Sequence, residues 1–273
     1  MTGFLTRWLE GKPRYTREAR FAGHMYPDDE EELARRIDGW LDEVGAAAEP
    51  PLGLIVPFGD LEYAGPVAAA AWGSARAHAA RYDRVLLLGS AQRIPFRGPA
   101  IAGYDAWRTP LGDLRTDADA LNALMKVEGV RQLDEAHAQE ASLELVVPFA
   151  QRALPKAKLV PMLMGDGGAE ELTEALGATW GPGTLAVVVT ELSREEPLED
   201  ASARDARTSG AVLRMAGEEI DRRSASARVP LRALLEVARG RGARVEECAR
   251  GTSADADGRT EQVIGYGAFA LYG

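Results

Sequence analysis

Five short apolar runs stand out in the pattern of hydrophobic and polar positions along the chain. They cover residues 52–58, 84–89, 159–164, 185–190 and 263–271. The first four do not alternate between apolar and polar residues, which is typical of parallel strands that are buried on both faces. The last run alternates with small residues and predicts an edge strand or an antiparallel strand.

Segments with helical periodicity separate these runs. The first is marked by Asp28 or Asp29 as a suitable N-cap, by acidic residues after it, and by one apolar face from Leu33 to Val44. Further helices are predicted at residues 66–82, 118–127, 142–154, 169–178, 205–222 and 231–239. Because strands and helices alternate, we expect an α/β fold with a largely parallel central sheet and helices on both faces.

The chain shows no internal repeat and no low-complexity linker. We therefore expect a single α/β domain over residues 17–273, preceded by an N-terminal extension over residues 1–16. The extension contains four large apolar side chains, those of Phe4, Leu5, Trp8 and Leu9. They predict a segment that packs on the surface of the domain or docks on a partner.

Composition and charge exclude several classes of protein. The single cysteine, Cys248, rules out an internal disulfide, a zinc finger and an iron–sulfur site. The net charge is −10 and no dense cluster of Lys or Arg is present, so we expect no nucleic-acid partner. No apolar run is long enough to span a membrane and the N-terminus has no signal-peptide core, so we expect a cytoplasmic protein.

Polar residues follow four of the apolar runs, at the sheet edge where open α/β folds bind ligands. They are Asp60 and Glu62, then Ser90, Gln92 and Arg93, then Asp166, and finally Glu191, Ser193 and Arg194. They are expected to converge on one pocket rim, although loops are polar by default.

Two further patterns carry weaker signals. His137, Glu140 and Glu144 would share one face if a helix ran through them. Such a set can bind a metal, but a solvated helix face or a helix cap is more common. Glycines at 165, 167 and 168 precede a predicted helix and would form an ordinary turn or an anion cradle.

The order of several motifs resembles the Memo family, also called AmmeMemoRadiSam system protein B. The resemblance implies a fold similar to that of the class III extradiol ring-cleaving dioxygenases. It is carried by residues 20–27 (RFAGHMYP), 57–66 (PFGDLEYAGP), 88–92 (LGSAQ), 109–112 (TPLG), 137–149 (HAQEASLELVVPF), 189–194 (VTELSR), 226–231 (SARVPL) and 264–266 (IGY).

The resemblance also implies a metal held by two histidines and a cysteine of these motifs. Here those positions are Phe58, Gln92 and Ser226, while Glu191 and Arg194 replace another acidic residue and histidine. Phenylalanine has no lone pair, a glutamine carbonyl is a weak ligand, and a serine hydroxyl stays protonated near neutral pH. We therefore expect no metal, no other cofactor and no metal-dependent dioxygenase activity, with Phe58 filling the former pocket.

Three functions remain open. The first is a non-catalytic binding or scaffold subunit, whose partner is another protein, a paralogue or a second copy of the chain. The second is a metal-independent hydrolase or isomerase with Glu191 held ionised by Arg194. Its polar cleft would be lined by Asp60, Gln92, His137, Glu140, Glu191, Arg194 and Ser226. The third is a small-anion sensor that uses Arg194 and the 165–168 loop.

Overall fold

Strands and helices alternate along most of the chain in the computed structural model, which describes residues 15–273. The strands are β1 (Thr16–Arg17), β2 (Gly53–Val56), β3 (Arg84–Ser90), β4 (Pro99–Ile101), β5 (Ala106–Thr109), β6 (Gly112–Arg115), β7 (Arg131–Gln132), β8 (Lys158–Met164), β9 (Thr184–Val189), β10 (Arg194–Glu196), β11 (Arg244–Thr252) and β12 (Val263–Tyr272). The helices are α1 (Glu30–Asp42), α2 (Leu61–Arg76), α3 (Ala118–Leu124), α4 (Asp134–Gln139), α5 (Ala141–Ala153), α6 (Ala169–Thr179), α7 (Leu198–Leu213), α8 (Arg228–Gly240) and α9 (Ala254–Asp257).

The four apolar runs without alternation form the centre of one large mixed sheet. Strands β2, β9, β3 and β8 are neighbours in that order and all pair in parallel. The sheet continues through the antiparallel pairings of β12 with β2 and of β4 with β8. The predicted α/β fold class is therefore confirmed. Strand β12 lies between β2 and β11, so its antiparallel assignment is confirmed and its assignment as an edge strand is wrong.

Two apolar cores cover the two faces of this sheet. Successive residues of β2 show the division, because Leu54 and Val56 belong to one core and Ile55 belongs to the other. The first core is completed by apolar side chains of α1, α2 and α5, and the second by those of α3, α6, α7 and α8. Burial on both faces explains why the central strands show no alternation in the sequence.

A second, small sheet lies outside the predicted elements. It has the strand order β1-β5-β6, and β1 joins it through the parallel pairs Thr16 with Ala106 and Arg17 with Trp107. The division into an extension over residues 1–16 and a domain over residues 17–273 stays a prediction. The four apolar side chains at residues 4, 5, 8 and 9 lie outside the described residues.

Helices α2 and α7 begin five and seven residues earlier than the sequence predicts. Helix α2 starts at Leu61 because Asp60 is its N-cap and accepts a hydrogen bond from the Glu62 N–H. Helix α7 starts at Leu198 and ends at Leu213, where the chain turns and Met215 takes a left-handed conformation. In the described part of the chain, no helix is both long enough and apolar enough to cross a lipid bilayer.

Candidate binding cleft

The loops after β2, β3, β8 and β9 line an extended cleft at the carboxyl ends of the parallel strands. Its acidic arm is a cavity of about 410 Å³ lined by Phe58, Asp60, Glu140, Glu191 and other residues. Its basic arm, of about 480 Å³, is lined by Arg93, Gly165, Arg222, Ser226, Arg228 and their neighbours. A middle cavity of about 450 Å³ joins the two arms, and Gln92 lines all three.

Phe58 lines the acidic arm without closing it. Its side chain is 7% exposed and packs against the core that contains α1, α2 and α5, so the ring forms part of the floor of the cavity. The expectation that Phe58 fills the pocket is therefore wrong. The ring satisfies its preference for burial by packing into the core below the cleft.

Glu191 is the buried carboxyl group of the acidic arm. It follows β9, is 3% exposed, and its Oε2 lies 3.1 Å from Arg194 Nε but accepts no hydrogen bond from the described residues. Burial raises the pKa of Glu191 to about 7; Arg194 opposes this shift and Glu140 adds to it. The expectation that Arg194 holds Glu191 ionised is wrong, because the lost hydration outweighs one half-exposed guanidinium.

Glu140 lies at a break between two helices. Helix α4 ends at Gln139, Glu140 is extended, and its carboxylate caps α5 by accepting hydrogen bonds from the Ser142 N–H and hydroxyl, at 3.2 and 2.9 Å. The other oxygen accepts from the Gln92 N–H at 2.9 Å. The continuous helix that would place His137, Glu140 and Glu144 on one face is therefore absent, and the helix-cap interpretation is confirmed for Glu140.

His137 is fully buried and lines none of the three cavities of the cleft. Its Nδ1 lies 3.1 Å from the Leu133 carbonyl oxygen, and its ring meets the Trp107 ring edge-on. Burial lowers the pKa of His137 to about 4, so the ring is neutral at pH 7. Its placement in the cleft is a wrong prediction, because the helix break turns it into the core.

A buried ion pair that the sequence analysis does not identify holds this region together. Arg17 binds the carboxylate of Glu144 and also donates hydrogen bonds to the carbonyl oxygens of His137, at 2.8 Å, and Glu140, at 2.9 Å. The other oxygen of Glu144 accepts from the Tyr26 hydroxyl at 2.7 Å. The resemblance to the Memo motifs includes Tyr26 and Glu144, but the sequence carries no signal for their pairing with Arg17.

Ser226 binds the backbone at the end of β9. Its Oγ accepts a hydrogen bond from the Glu191 N–H at 3.0 Å and lies 3.3 Å from Thr190 Oγ1. Thr190 Oγ1 in turn accepts from the Ala227 N–H at 2.9 Å, where α8 begins. Ser226 therefore connects β9 to α8, and the structure places it in the middle cavity and the basic arm.

The residues at the three motif positions do not fit a transition metal. Phe58 offers a hydrocarbon ring, Gln92 an exposed neutral amide, and Ser226 a hydroxyl already bonded to backbone and to Thr190. Within residues 15–273, no group of three His, Cys, Asp or Glu side chains is arranged to hold a metal ion. Non-haem metal sites need imidazole and anionic ligands, which these positions do not supply.

The sequence analysis names Arg93 and the 165–168 loop of the basic arm but misses Arg222 and Arg228. Arg93 follows β3. Arg222 lies in the segment before α8, and Arg228 is the first residue of that helix. The available signal was the three arginines at 222, 223 and 228 on either side of Ser226. The 165–168 loop contributes Gly165 and Gly167 to this arm, whereas Arg194 lines the other two cavities, so the predicted pairing of Arg194 with that loop does not form.

Comparisons with known proteins agree with the motif resemblance. The family model described as Memo-like protein matches residues 17–270. A MEMO1 family protein of Methanococcoides burtonii is 30% identical over 269 residues, covering 93% of this chain and 99% of the relative. Protein MEMO1 of Homo sapiens is 29% identical over 154 residues, or 55% of this chain and 51% of that protein.

A solved structure shows the same fold at low sequence identity. It is the crystal structure of the uncharacterized protein JW3007 from Escherichia coli K12, with a TM-score of 0.51 and 12% identity. The match covers 80% of this chain and 99% of that chain. It supports the fold assignment alone.

Proposed function

The chain belongs to the Memo family, and we propose that it is a member that binds no catalytic metal and acts by binding a ligand in its cleft. The observation that carries this proposal is the chemistry of Phe58, Gln92 and Ser226 at the three motif positions. Cavities remain beside these positions, since Phe58 and Gln92 line the acidic arm and Gln92 and Ser226 line the basic arm, so the scaffold keeps a binding surface without the metal ligands. In this proposal the chain is a non-catalytic subunit, and a protein partner, a paralogue or a second copy responds to the ligand.

The surrounding charges also favour a site without a metal. Arg194 holds a permanent positive charge at the border of the acidic arm, 3.1 Å from Glu191, and disfavours a second cation at that carboxylate. Glu140, the other buried acid, is already occupied by three hydrogen bonds from Gln92 and Ser142. Glu140 is therefore engaged in the protein's own contacts, and Glu191 already faces a fixed positive charge.

Metal content tests this proposal directly. The full chain, freed of any affinity tag, is incubated with iron(II), manganese(II) or zinc(II), dialysed, and analysed by mass spectrometry for bound metal. We expect the wild-type chain to retain far less than one ion per molecule. The triple variant F58H/Q92H/S226C restores the residue types implied by the family resemblance and is expected to retain the metal.

The wild-type result decides the question. Stoichiometric metal that survives dialysis of the wild-type chain would contradict the proposal. The triple variant shows that the scaffold and the assay can report a site when ligands are present. Circular dichroism of both proteins checks that the three substitutions leave the fold intact.

Metal-independent proton transfer is a second candidate, favoured by Glu191 alone. A carboxyl group with a pKa of about 7 in a cleft can donate and accept a proton near neutral pH. This candidate predicts a hydrolase- or isomerase-type activity that E191Q abolishes without loss of folding. Equal activity in the wild-type chain and E191Q would exclude it.

A further inference from the structure

The basic arm presents three arginines that have no carboxylate partner. Arg93, Arg222 and Arg228 line the same cavity, and none of them forms an ion pair or a side-chain hydrogen bond with the described residues. The arginines in the adjoining part of the cleft are paired, since Arg194 contacts Glu191 and Arg223 contacts Glu196. All three unpaired arginines therefore meet in the basic arm, although Arg93 also borders the acidic arm and Arg222 the middle cavity.

The neighbouring carboxylates do not neutralise this arm. Asp166 lines the cavity but forms no ion pair there. Asp221 partly offsets the lowering of the Arg228 pKa, but it does not line the cavity and forms no ion pair with Arg228; its Oδ1 accepts hydrogen bonds from the Arg223 N–H and the Ser224 hydroxyl, both at 2.8 Å. Three arginines and one carboxylate, that of Asp166, therefore line the cavity.

The start of α8 increases the positive potential. Arg228 is the first residue of this 13-residue helix, and its N-cap, Ala227, has no side-chain oxygen to accept from the first-turn N–H groups. A helix N-terminus carries a partial positive charge, so an arginine there is unfavourable. Partial burial and the nearby Arg232 and Arg222 also lower the pKa of Arg228, as expected for repulsion between cations.

We propose that the basic arm binds the phosphate group of a small phosphorylated molecule, whose remaining part lies along the cleft. An anion would relieve the repulsion among Arg93, Arg222 and Arg228, and guanidinium groups form strong charge-assisted hydrogen bonds to phosphate oxygens. This inference names the ligand class for the proposed binding function. It does not depend on whether the acidic arm holds a metal.

Size and charge select a small molecule over a polyanion. A cavity of about 480 Å³ lies in the range of small-molecule sites, and the middle cavity extends it toward Arg194. The net charge of the whole chain is −10, which repels a nucleic acid at long range. A small anion that enters the cleft encounters the local positive charges.

The test uses phenyl phosphate as a phosphomonoester, inorganic phosphate as the bare anion, and phenol as the neutral control. Isothermal titration calorimetry and thermal shift are measured on the full chain in a phosphate-free buffer. We expect saturable binding of phenyl phosphate and no binding of phenol. Binding of inorganic phosphate with equal affinity would assign the recognition to the anion itself, and weaker binding would assign part of it to the organic group.

Matched variants connect the binding to the basic arm. R222A/R228A is expected to weaken phenyl phosphate binding at least about tenfold, since each guanidinium supplies a charge-assisted contact. R207A/R239A removes two exposed arginines elsewhere, causes the same change in net charge, and is expected to bind like the wild-type chain. D166N removes the carboxylate of this cavity and is expected to strengthen binding.

Two results would overturn the inference. One is the absence of saturable binding of either anion to the wild-type chain. The other is equal affinity of R222A/R228A and R207A/R239A. Because metal content is measured separately, failure here leaves the metal-independent binding function standing, and retained metal leaves this anion site standing.

Discussion

At the scale of single residues, burial controls the chemistry of the acidic arm. Glu191 and Arg194 stand 3.1 Å apart, yet the carboxyl group is almost completely buried whereas the guanidinium is half-exposed. Water screens and hydrates the arginine but does not solvate the acid, so the pKa of the carboxyl rises to about 7 and the group is only partly ionised near neutral pH. Sequence spacing alone shows that the two residues are close and does not report this difference in solvation.

This shift predicts a pH dependence of stability. Glu191 has a pKa of about 7 in the folded protein and 4.5 without the fold, so the folded state binds an extra proton between these values. The free energy of unfolding therefore falls as pH rises from about 4.5 to about 7, by on the order of 3 kcal/mol for this group. Urea unfolding across pH 4.5–8 should report this contribution as a difference between the wild-type chain and E191Q, because the lowered pKa of His137 gives both chains an opposing slope in the same range. The matched variant E236Q, at an exposed position of α8, is expected to keep the Glu191 contribution, and parallel curves for wild type and E191Q would refute the prediction.

The buried ion pair predicts a large loss of stability when one partner is removed. E144A would leave the Arg17 guanidinium buried without its carboxylate and the Tyr26 hydroxyl without its acceptor. Breaking such a pair costs about 3–5 kcal/mol, which urea unfolding measures. The control D42A removes an exposed carboxylate from Arg76 and is expected to cost much less. Similar losses in both variants would show that the buried network contributes little.

At the scale of elements, close backbone contact between α1 and α2 is built on glycine. A Cβ atom added at Gly73 would lie 2.5 Å from the Val44 Cβ, and one added at Gly65 would lie 2.5 Å from the Trp40 ring. The alanine-rich sequence of α2 allows the same approach along the rest of the interface. These glycines therefore fix the distance between the helices, at the expense of helix propensity.

Replacing Gly73 by alanine tests this packing. G73A gains about 1 kcal/mol of helix propensity, but the overlap with Val44 is expected to cost more, for a net loss of about 1–2 kcal/mol. G177A in α6 is the control, because nothing lies within 4 Å of its added Cβ, and it is expected to stabilise the protein by about 0.5–1 kcal/mol. Thermal unfolding of both variants measures the difference. Stabilisation by G73A would show that the helices can separate at no cost.

The elements that the sequence predicts correctly are those whose own residues carry the signal, as an apolar run or as a helix cap. The four central strands were identified because each contains an unbroken run of buried apolar residues, and α1 because Asp29 and the acidic first turn mark its start. The break at Glu140 could not be predicted. It is stabilised by Arg17, which binds the carbonyl oxygens of His137 and Glu140 from more than 100 residues away. A local helical pattern carries no information about such a contact.

At the scale of the whole molecule, the cleft gathers unpaired arginines in one arm and buried carboxyl groups in the other. The net charge of the chain does not show this separation. The sheet topology brings Arg93, which follows β3, to the segment before α8, while the acidic groups after β2 and β9 collect in the other arm. A net charge of −10 gives no indication of the basic arm. The position of the cleft was predictable from the rule for parallel sheets, but the division into two arms required the tertiary structure.

The place of β2 in the sheet has a consequence for synthesis of the protein. Leu54 pairs with Val187 on one side and with Ala270 on the other, more than 130 and more than 200 residues further along the chain. During synthesis β2 leaves the ribosome long before β9 and β12 have been made. The backbone N–H and C=O groups on both edges of this apolar strand are therefore unpaired until then. Such exposure promotes aggregation of nascent chains. The segment around Gly53–Val56 is therefore where a chaperone would protect the growing polypeptide.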